Sequence, residues 1–306
     1  MTFTFRPAVR ENVGLLIGLA GASGSGKTYT AMRLATGIAG DKPFCVIDTE
    51  AGRAKHYADA FRFDHGDLAP PFRPDRYAEA IQAADKAGYP VIVVDSMSHE
   101  WSGDGGILDW QEEEYQRMGG REAVKMAAWI KPKAAHKHMV SKLLQVRAHL
   151  ILCMRAEEKI EIIKGEDGKT KIVPKQGPAG FRGWLPVCEK TLPYELTASF
   201  LLTADAPGIP KPIKLQEQHR ALFPLDQPIT EDSGRAIAAW AAGGSAPSTD
   251  DVLVRLRDAS LQGTAALRTA WAGIGHAMQE TLRPELPALK AAATKADAPA
   301  AEGAAA

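Results

Sequence analysis

"GASGSGKT", residues 21–28, is the stretch on which the fold turns. It follows a short apolar run, "GLLIGLA" (14–20), and precedes "YTAMRLATGIAG", whose apolar residues recur at helical spacing. A glycine-rich turn of the form G-x-x-x-x-G-K-[ST] between strand and helix aims backbone N–H groups at an anion on the helix N-terminus. Gly21, Gly24 and Gly26 permit the tight turn, and Ala22, Ser23 and Ser25 complete the cradle. Lys27 is expected to reach the β- and γ-phosphates and Thr28 to give its hydroxyl to Mg²⁺, with Tyr29 closing the contact stretch. The expected ligands are therefore ATP and Mg²⁺. An ordinary glycine-rich turn is the bland alternative, and the strand–loop–helix context argues against it.

Working outward, "KPFCVIDTE" (42–50), "YPVIVVDSMSHEW" (89–101) and "HLILCMR" (149–155) read as further buried strands. Helical text separates them: "AGRAKHYADAF", "YAEAIQAADKAG", which follows the Pro-rich loop "LAPPFRPDR", and a mostly helical stretch over 107–147. Short apolar strands alternating with helices indicate βαβ units and a mainly parallel sheet covered on both faces. Beyond Arg155, "EKIEIIKGEDGKTKIVPK" predicts a β-hairpin around "GEDGK". A loop "GPAGFRGWL", a strand in "YELTASFLLTAD" and a closing helix in "EDSGRAIAAWAAGG" follow. This organisation predicts an ATPase domain over 1–243, a linker at 244–250, a small helical module at 251–296 and a disordered tail at 297–306.

The 306 residues carry 37 basic and 37 acidic side chains, so nucleic-acid binding has to rest on a local patch. Three cysteines are too few for a disulfide framework and read as reduced thiols. No apolar stretch approaches the ~18 residues of a membrane span, and the N-terminus does not resemble a secretory signal. The expectation is a cytoplasmic protein without a membrane partner.

Asp95 ends an apolar strand and is expected to hold Mg²⁺ through water. Ser96 follows it, where many ring-forming ATPases carry a catalytic glutamate, and serine cannot serve as that base. Two other carboxylates compete: Glu50, ending "CVIDTE", and Glu100, in "SMSHEW". Ligands of doubly wound sheets bind beyond the carboxyl ends of strands, and a strand beside the P-loop strand would aim its last residues at the γ-phosphate. Glu50 is favoured, the absence of a dedicated base is the second reading, and Glu100 is the third.

The set "GASGSGKT", "FCVIDTE" and "VIVVDS" resembles the RecA-like recombinase ATPases over roughly residues 14–205, and looks closest to short "AAA family" ATPases of bacteriophages and prophages. The resemblance implies a RecA-like P-loop α/β fold with a small C-terminal helical appendage. It implies ATP hydrolysis, with Glu50 orienting water and Asp95 supporting the metal. Met154 and Arg155 stand where the family has an Asn-Gln pair, so Arg155 becomes the candidate γ-phosphate sensor, with a solvated strand-end charge as the other reading of it. A self-oligomer, ring or filament, and work on single-stranded DNA in phage recombination, annealing or replication inside a bacterial host are also implied.

The corresponding DNA loops would be 98–106, with Trp101, and 157–184, with Lys159, Lys164, Lys169, Lys171, Lys175 and Arg182. The basic run over 121–147 is a third candidate surface, though such a run also suits a solvated helix face. Lys175 and Lys190 are candidates to reach a neighbouring subunit's nucleotide, and the C-terminal helices to dock a protein partner. The alternative reading is a nucleotide-switched loader or adaptor for a helicase or other replication protein. A small-molecule kinase ranks below both, because a hairpin replaces an Arg-rich lid after the fourth strand.

Overall fold

The computed structural model describes residues 13–164, 170–175, 183–243, 249–274 and 276–297. The anticipated hairpin tip, most of the "GPAGFRGWL" loop with Arg182, Lys169, most of the linker and all but the first residue of the tail lie outside the described residues.

The chain opens with β1 (Leu16–Gly21) and α1 (Lys27–Ala39), then β2 (Phe44–Asp48), a 3-10 helix at Arg53–Tyr57, β3 (Phe63–Asp67) and α2 (Pro74–Ala87). Next come β4 (Val91–Asp95), α3 (Ser98–Ser102), α4 (Ile107–Arg117), α5 (Ile130–Leu143) and β5 (His149–Glu158). The hairpin is β6 (Ile160–Lys164) and β7 (Thr170–Pro174), followed by β8 (Trp184–Pro186) and α6 (Leu192–Glu195). The sheet is completed by β9 (Ala198–Thr203) and β10 (Ala206–Lys214), with α7 (Glu217–Arg220) and α8 (Glu231–Ala241) after them. Among the described residues the last α-helices are α9 (Thr249–Leu261), α10 (Thr264–Ala272), α11 (His276–Leu282) and α12 (Leu286–Asp297).

The main sheet runs β10-β9-β1-β5-β4-β2-β3, with β8 paired to β5. Every neighbouring pair from β9 to β3 is parallel, and only β10 and β8 join antiparallel. Because strands alternate their faces, Ile92 and Val94 enter one apolar cluster with Tyr77, Ile81 and Met139 of α2 and α5. Val91 and Val93 enter the other, with Met32 and Leu34 of α1 and Ile237 of α8. Both faces are thus covered, which is why these strands read as unbroken apolar runs.

Three features depart from the sequence expectation. First, β2 is not beside β1, since β5 and β4 lie between them. The rationale that placed Glu50 on a strand neighbouring the P-loop strand is therefore corrected. Second, the edge strands β3 ("FDHGD") and β10 ("APGIPKPIK"), which lie in no element expected from the sequence, carry acids, glycine or prolines that mask their strand character. An edge strand needs only one row of ladder partners, so it tolerates them. Third, Tyr194, which opens the stretch "YELTASFLLTAD" read as a strand, lies instead in α6 and is 69% exposed. The hairpin β6–β7 forms its own two-stranded sheet with Ile160, Ile162 and Ile172 exposed. Helices α9 to α12 gather a separate apolar cluster of Val252, Leu256, Leu267, Leu282, Leu289 and Ala293.

Helix α8 lies on α1 through backbone. A methyl on Gly234 would come within 2.7 Å of the Gly37 Cα, and one on Gly37 would collide with the Glu231 carbonyl. Beside this contact Arg33 grips Glu231 through three hydrogen bonds, Nε to Oε1 at 2.9 Å and to Oε2 at 3.1 Å, and Nη2 to Oε2 at 2.6 Å. Gly37→Ala should cost about 1–3 kcal/mol through overpacking, read as a lowered denaturant midpoint; an unchanged midpoint would show that the helices can part freely.

At the far end of the sheet the His149 Nδ1 accepts the Leu15 N–H at 3.2 Å, so the ring is neutral there. Burial pushes its pKa down to about 4. An unfolded histidine binds its proton near pH 6.5, so stability is lost as pH falls from about 6.5 toward 4, by up to about 3 kcal/mol. The difference in urea stability between the native chain and a His149→Gln variant should change across that window; parallel pH profiles would refute it.

Candidate nucleotide site

The turn after β1 has the backbone that the glycines require. Gly24 and Gly26 have φ of 79° and 82°, in the left-handed region that L side chains rarely adopt. A Cβ on Gly21 would collide with the Leu202 carbonyl and the Ser25 hydroxyl. The Ala22 carbonyl gathers the turn, accepting from Ser25 Oγ and Lys27 Nζ, each at 2.8 Å. The start of β10 braces it from outside, where the Gly208 N–H donates to the Ser25 carbonyl at 3.3 Å. Ser23 and Gly24 are exposed at the tip, and no acidic residue occupies the first turn of α1. The positive end of that helix is left for an anion.

Parallel register delivers the carboxylates to the same edge. Thr28 Oγ1 donates to Asp95 Oδ2 at 2.5 Å, joining the start of α1 to the end of β4. Burial raises the Asp95 carboxyl above its ordinary range, against the pull of the Thr28 hydrogen bond. Burial likewise lowers the Lys27 ammonium. The Thr28 hydroxyl and the buried Asp95 carboxylate are hard oxygen donors suited to Mg²⁺. Among the described residues no three His, Cys, Asp or Glu side chains cluster as a metal site. Phosphate and water oxygens would have to complete the shell, as is usual for this ion.

Glu50 arrives by a sharp turn after β2. Asp48 Oδ1 accepts the Glu50 N–H at 2.6 Å and Oδ2 the Ala54 N–H at 2.9 Å, which ties the turn to the 3-10 helix. His65 of β3 also reaches Asp48 Oδ2, at 3.2 Å. The Glu50 carboxylate accepts from two guanidiniums, Arg155 Nη2 on Oε1 at 2.8 Å and Arg53 Nη1 on Oε2 at 2.9 Å. Burial works to raise this carboxyl, but the two arginines outweigh it and hold it below the ordinary range. Thr28, Glu50, Arg53, His56, Tyr57 and Asp95 line one recess of about 180 Å³. Tyr29 stands at its outer side, its ring 6.1 Å from Tyr57 and 5.5 Å from Phe61.

Of the sequence candidates, Lys27, Thr28, Glu50, Asp95 and Arg155 thus gather at one end of the sheet. The Arg155 backbone lies opposite Gly21 in the pairing of β1 with β5, while Met154 is buried in the core. Glu100 does not join them. It lies in α3, fully buried, accepting from or donating to His136 Nδ1 at 2.8 Å. Glu189 stands on the far side of that ring, 3.9 Å from Nε2. Sequence reasoning missed Asp48, Arg53, His56 and Tyr57. The one available signal was "DTEAGR", an acid two residues before Glu50 with a small-residue turn and an arginine after it.

A second concavity, of about 710 Å³, opens between α3, α5 and β8. Trp101 of α3 stacks on Trp129, with ring centroids 6.0 Å apart and planes 20° from parallel. Lys133 lies over the Trp129 ring at 5.6 Å. Lys159, Lys175 and Lys190 share the rim, and Leu185, Pro186 and Pro193 the apolar lining. Two other basic residues of the 121–147 run are engaged elsewhere: Lys131 pairs with Glu114 at 3.3 Å and Lys125 with Glu122 at 3.4 Å.

Among curated proteins, none matches the chain. No helix among the described residues is long and apolar enough to cross a membrane. The family model described as an AAA domain matches residues 14–184, more than half of the chain and the whole span from β1 to the first residue of β8. With its glycine-rich turn, its strand-end acid and its helix-covered parallel sheet, the chain belongs to the AAA domain family of P-loop ATPases.

Proposed function

We propose that this ATPase hydrolyses ATP to ADP and phosphate with Mg²⁺, and uses the cycle on single-stranded DNA in recombination, annealing or replication. The observation that carries the hydrolytic reading is the shared recess of Thr28, Asp95 and Glu50. Lys27 neutralises charge that develops on the transferred phosphoryl oxygens, and the N–H groups of residues 22–28 hold the phosphates in line. When bound, a magnesium ion held by Thr28 and Asp95 adds Lewis-acid neutralisation of the same charge. Glu50 orients the attacking water.

The DNA reading is supported by the concavity around Trp101 and Trp129. Single-stranded nucleic acid binds to aromatic platforms set in a basic groove, since every base has a face to stack and every nucleotide a phosphate. Two indoles, with Lys133, Lys159, Lys175 and Lys190 around them, supply both parts. A subunit interface through the apolar face of the β6–β7 hairpin, and a phage or prophage source, belong to the same reading. A loader that docks a second protein is favoured by one observation, the separate apolar cluster of α9 to α12 with Val254 and Leu261 exposed beside it.

Glu50→Gln should lower ATP turnover about a hundredfold or more while nucleotide binding persists; undiminished turnover would remove Glu50 from the mechanism. For the groove, oligothymidine affinity should fall about fivefold or more in Trp101→Ala and in Trp129→Ala. Its logarithm should decline against log salt with a slope of about −3, which four lysine–phosphate contacts on a single strand imply. ATP turnover and oligonucleotide binding that both ignore these changes would favour the loader.

A further inference from the structure

Both oxygens of Glu50 are occupied. Arg155 takes Oε1 and Arg53 takes Oε2, at 2.8 and 2.9 Å, so the carboxylate expected to orient water is already covered by two cations. The side chains that cover it are the exposed members of the trio: Arg53 is 73% and Arg155 53% exposed, against 16% for Glu50. Their main chains are anchored, since Ser98 Oγ accepts the Arg155 N–H at 2.8 Å and the Arg53 segment hangs from Asp48 through Ala54. Only the guanidiniums are free to swing. Arg53 lines the same recess as Thr28 and Asp95, so the place it can swing into is the phosphate site itself.

Arginine prefers partners that offer several charged oxygens to its planar fork, and a terminal phosphate offers more negative charge than one carboxylate. We propose that Arg53, with Arg155, exchanges Glu50 for the terminal phosphate of a bound nucleoside triphosphate, which unmasks Glu50 only when that phosphate is present. The proposal rests on the nucleotide reading above and adds a residue and a gate to it. With a diphosphate, or with no nucleotide, both guanidiniums remain on Glu50 and no water can be oriented. With a triphosphate, Arg53 becomes a substrate contact and the freed carboxylate accepts a hydrogen bond from the attacking water. The exchange breaks two charge-assisted hydrogen bonds and makes others of the same kind, so it involves no covalent step.

The test is equilibrium titration of the full chain with a fluorescent, non-hydrolysable ATP analogue and with fluorescent ADP, both with Mg²⁺. Arg53→Ala should weaken the triphosphate about tenfold and leave the diphosphate unchanged, since one charge-assisted contact is lost from one ligand alone; Arg53→Lys should recover part of the loss. Glu50→Gln, which removes the competitor for both arginines, should tighten the triphosphate severalfold, and Arg53→Ala should take away most of that gain in the double variant, leaving only the share due to Arg155. Equal effects on the two nucleotides, or a Glu50→Gln gain undiminished by loss of Arg53, would overturn the exchange while leaving the nucleotide site standing. Failure of the unaltered chain to bind either nucleotide would overturn the nucleotide reading and the exchange together. Circular dichroism of each variant separates misfolding from these outcomes, and a misfolded Arg53→Ala leaves Arg53→Lys and Glu50→Gln to decide.

Discussion

In-register parallel pairing is the constraint on which the site depends. Asp48 lies opposite Asp95, Asp95 opposite Cys153, and Gly21 opposite Arg155. Strands that run together end together, so one acid, one glycine-rich turn and one arginine reach the same edge from distant parts of the chain. Covering helices then seal both faces and leave that edge as the place where polar groups meet water and ligand. A one-residue slip of β4 would send Asp95 away from Thr28 and turn Val91 and Val93 to the wrong cluster. The apolar pattern that builds the core therefore also sets the position of the chemistry.

Charge at this edge is balanced without ligand. Asp48, Glu50 and Asp95 face Lys27, Arg53 and Arg155, and His65 backs Asp48. Asp48 spends its oxygens on the backbone of the following turn, whereas the Asp95 side chain, among the described residues, is hydrogen-bonded by the Thr28 hydroxyl alone. The two acids lie side by side on neighbouring strands, yet one builds structure and the other is left for a cation. Their hydrogen-bond partners make that distinction, not their place in the sheet.

Residues 21–28 and Asp95 were legible in the sequence because their signals are local: a turn needs its glycines, and an apolar run that stops at an acid announces a strand end. Glu50 was favoured for a reason the sheet order does not support, since β2 is separated from β1 by two strands. What brings Glu50 to the site is the turn that Asp48 holds and the reach of Arg155. The pairings of Glu100 with His136 and of Trp101 with Trp129 were out of reach, because each depends on how the segment after α4 folds back over α3. Strands β3 and β10 were missed for a third reason. Main-chain pairing to an already formed neighbour stabilises them despite poor intrinsic propensity.

The glycine contact between α1 and α8 has a mechanical side. Side chains at a helix interface can change rotamer and absorb a small displacement, but a backbone resting on a backbone has no such slack. Gly37 and Gly234, locked beside the Arg33–Glu231 pair, therefore make the two helices a single stiff beam. One end of that beam begins at Lys27, under the phosphates. The other runs to Ala241, close to where the chain departs toward its terminal helices. A tilt of α1 would press directly on α8 through this contact, without passing through the sheet.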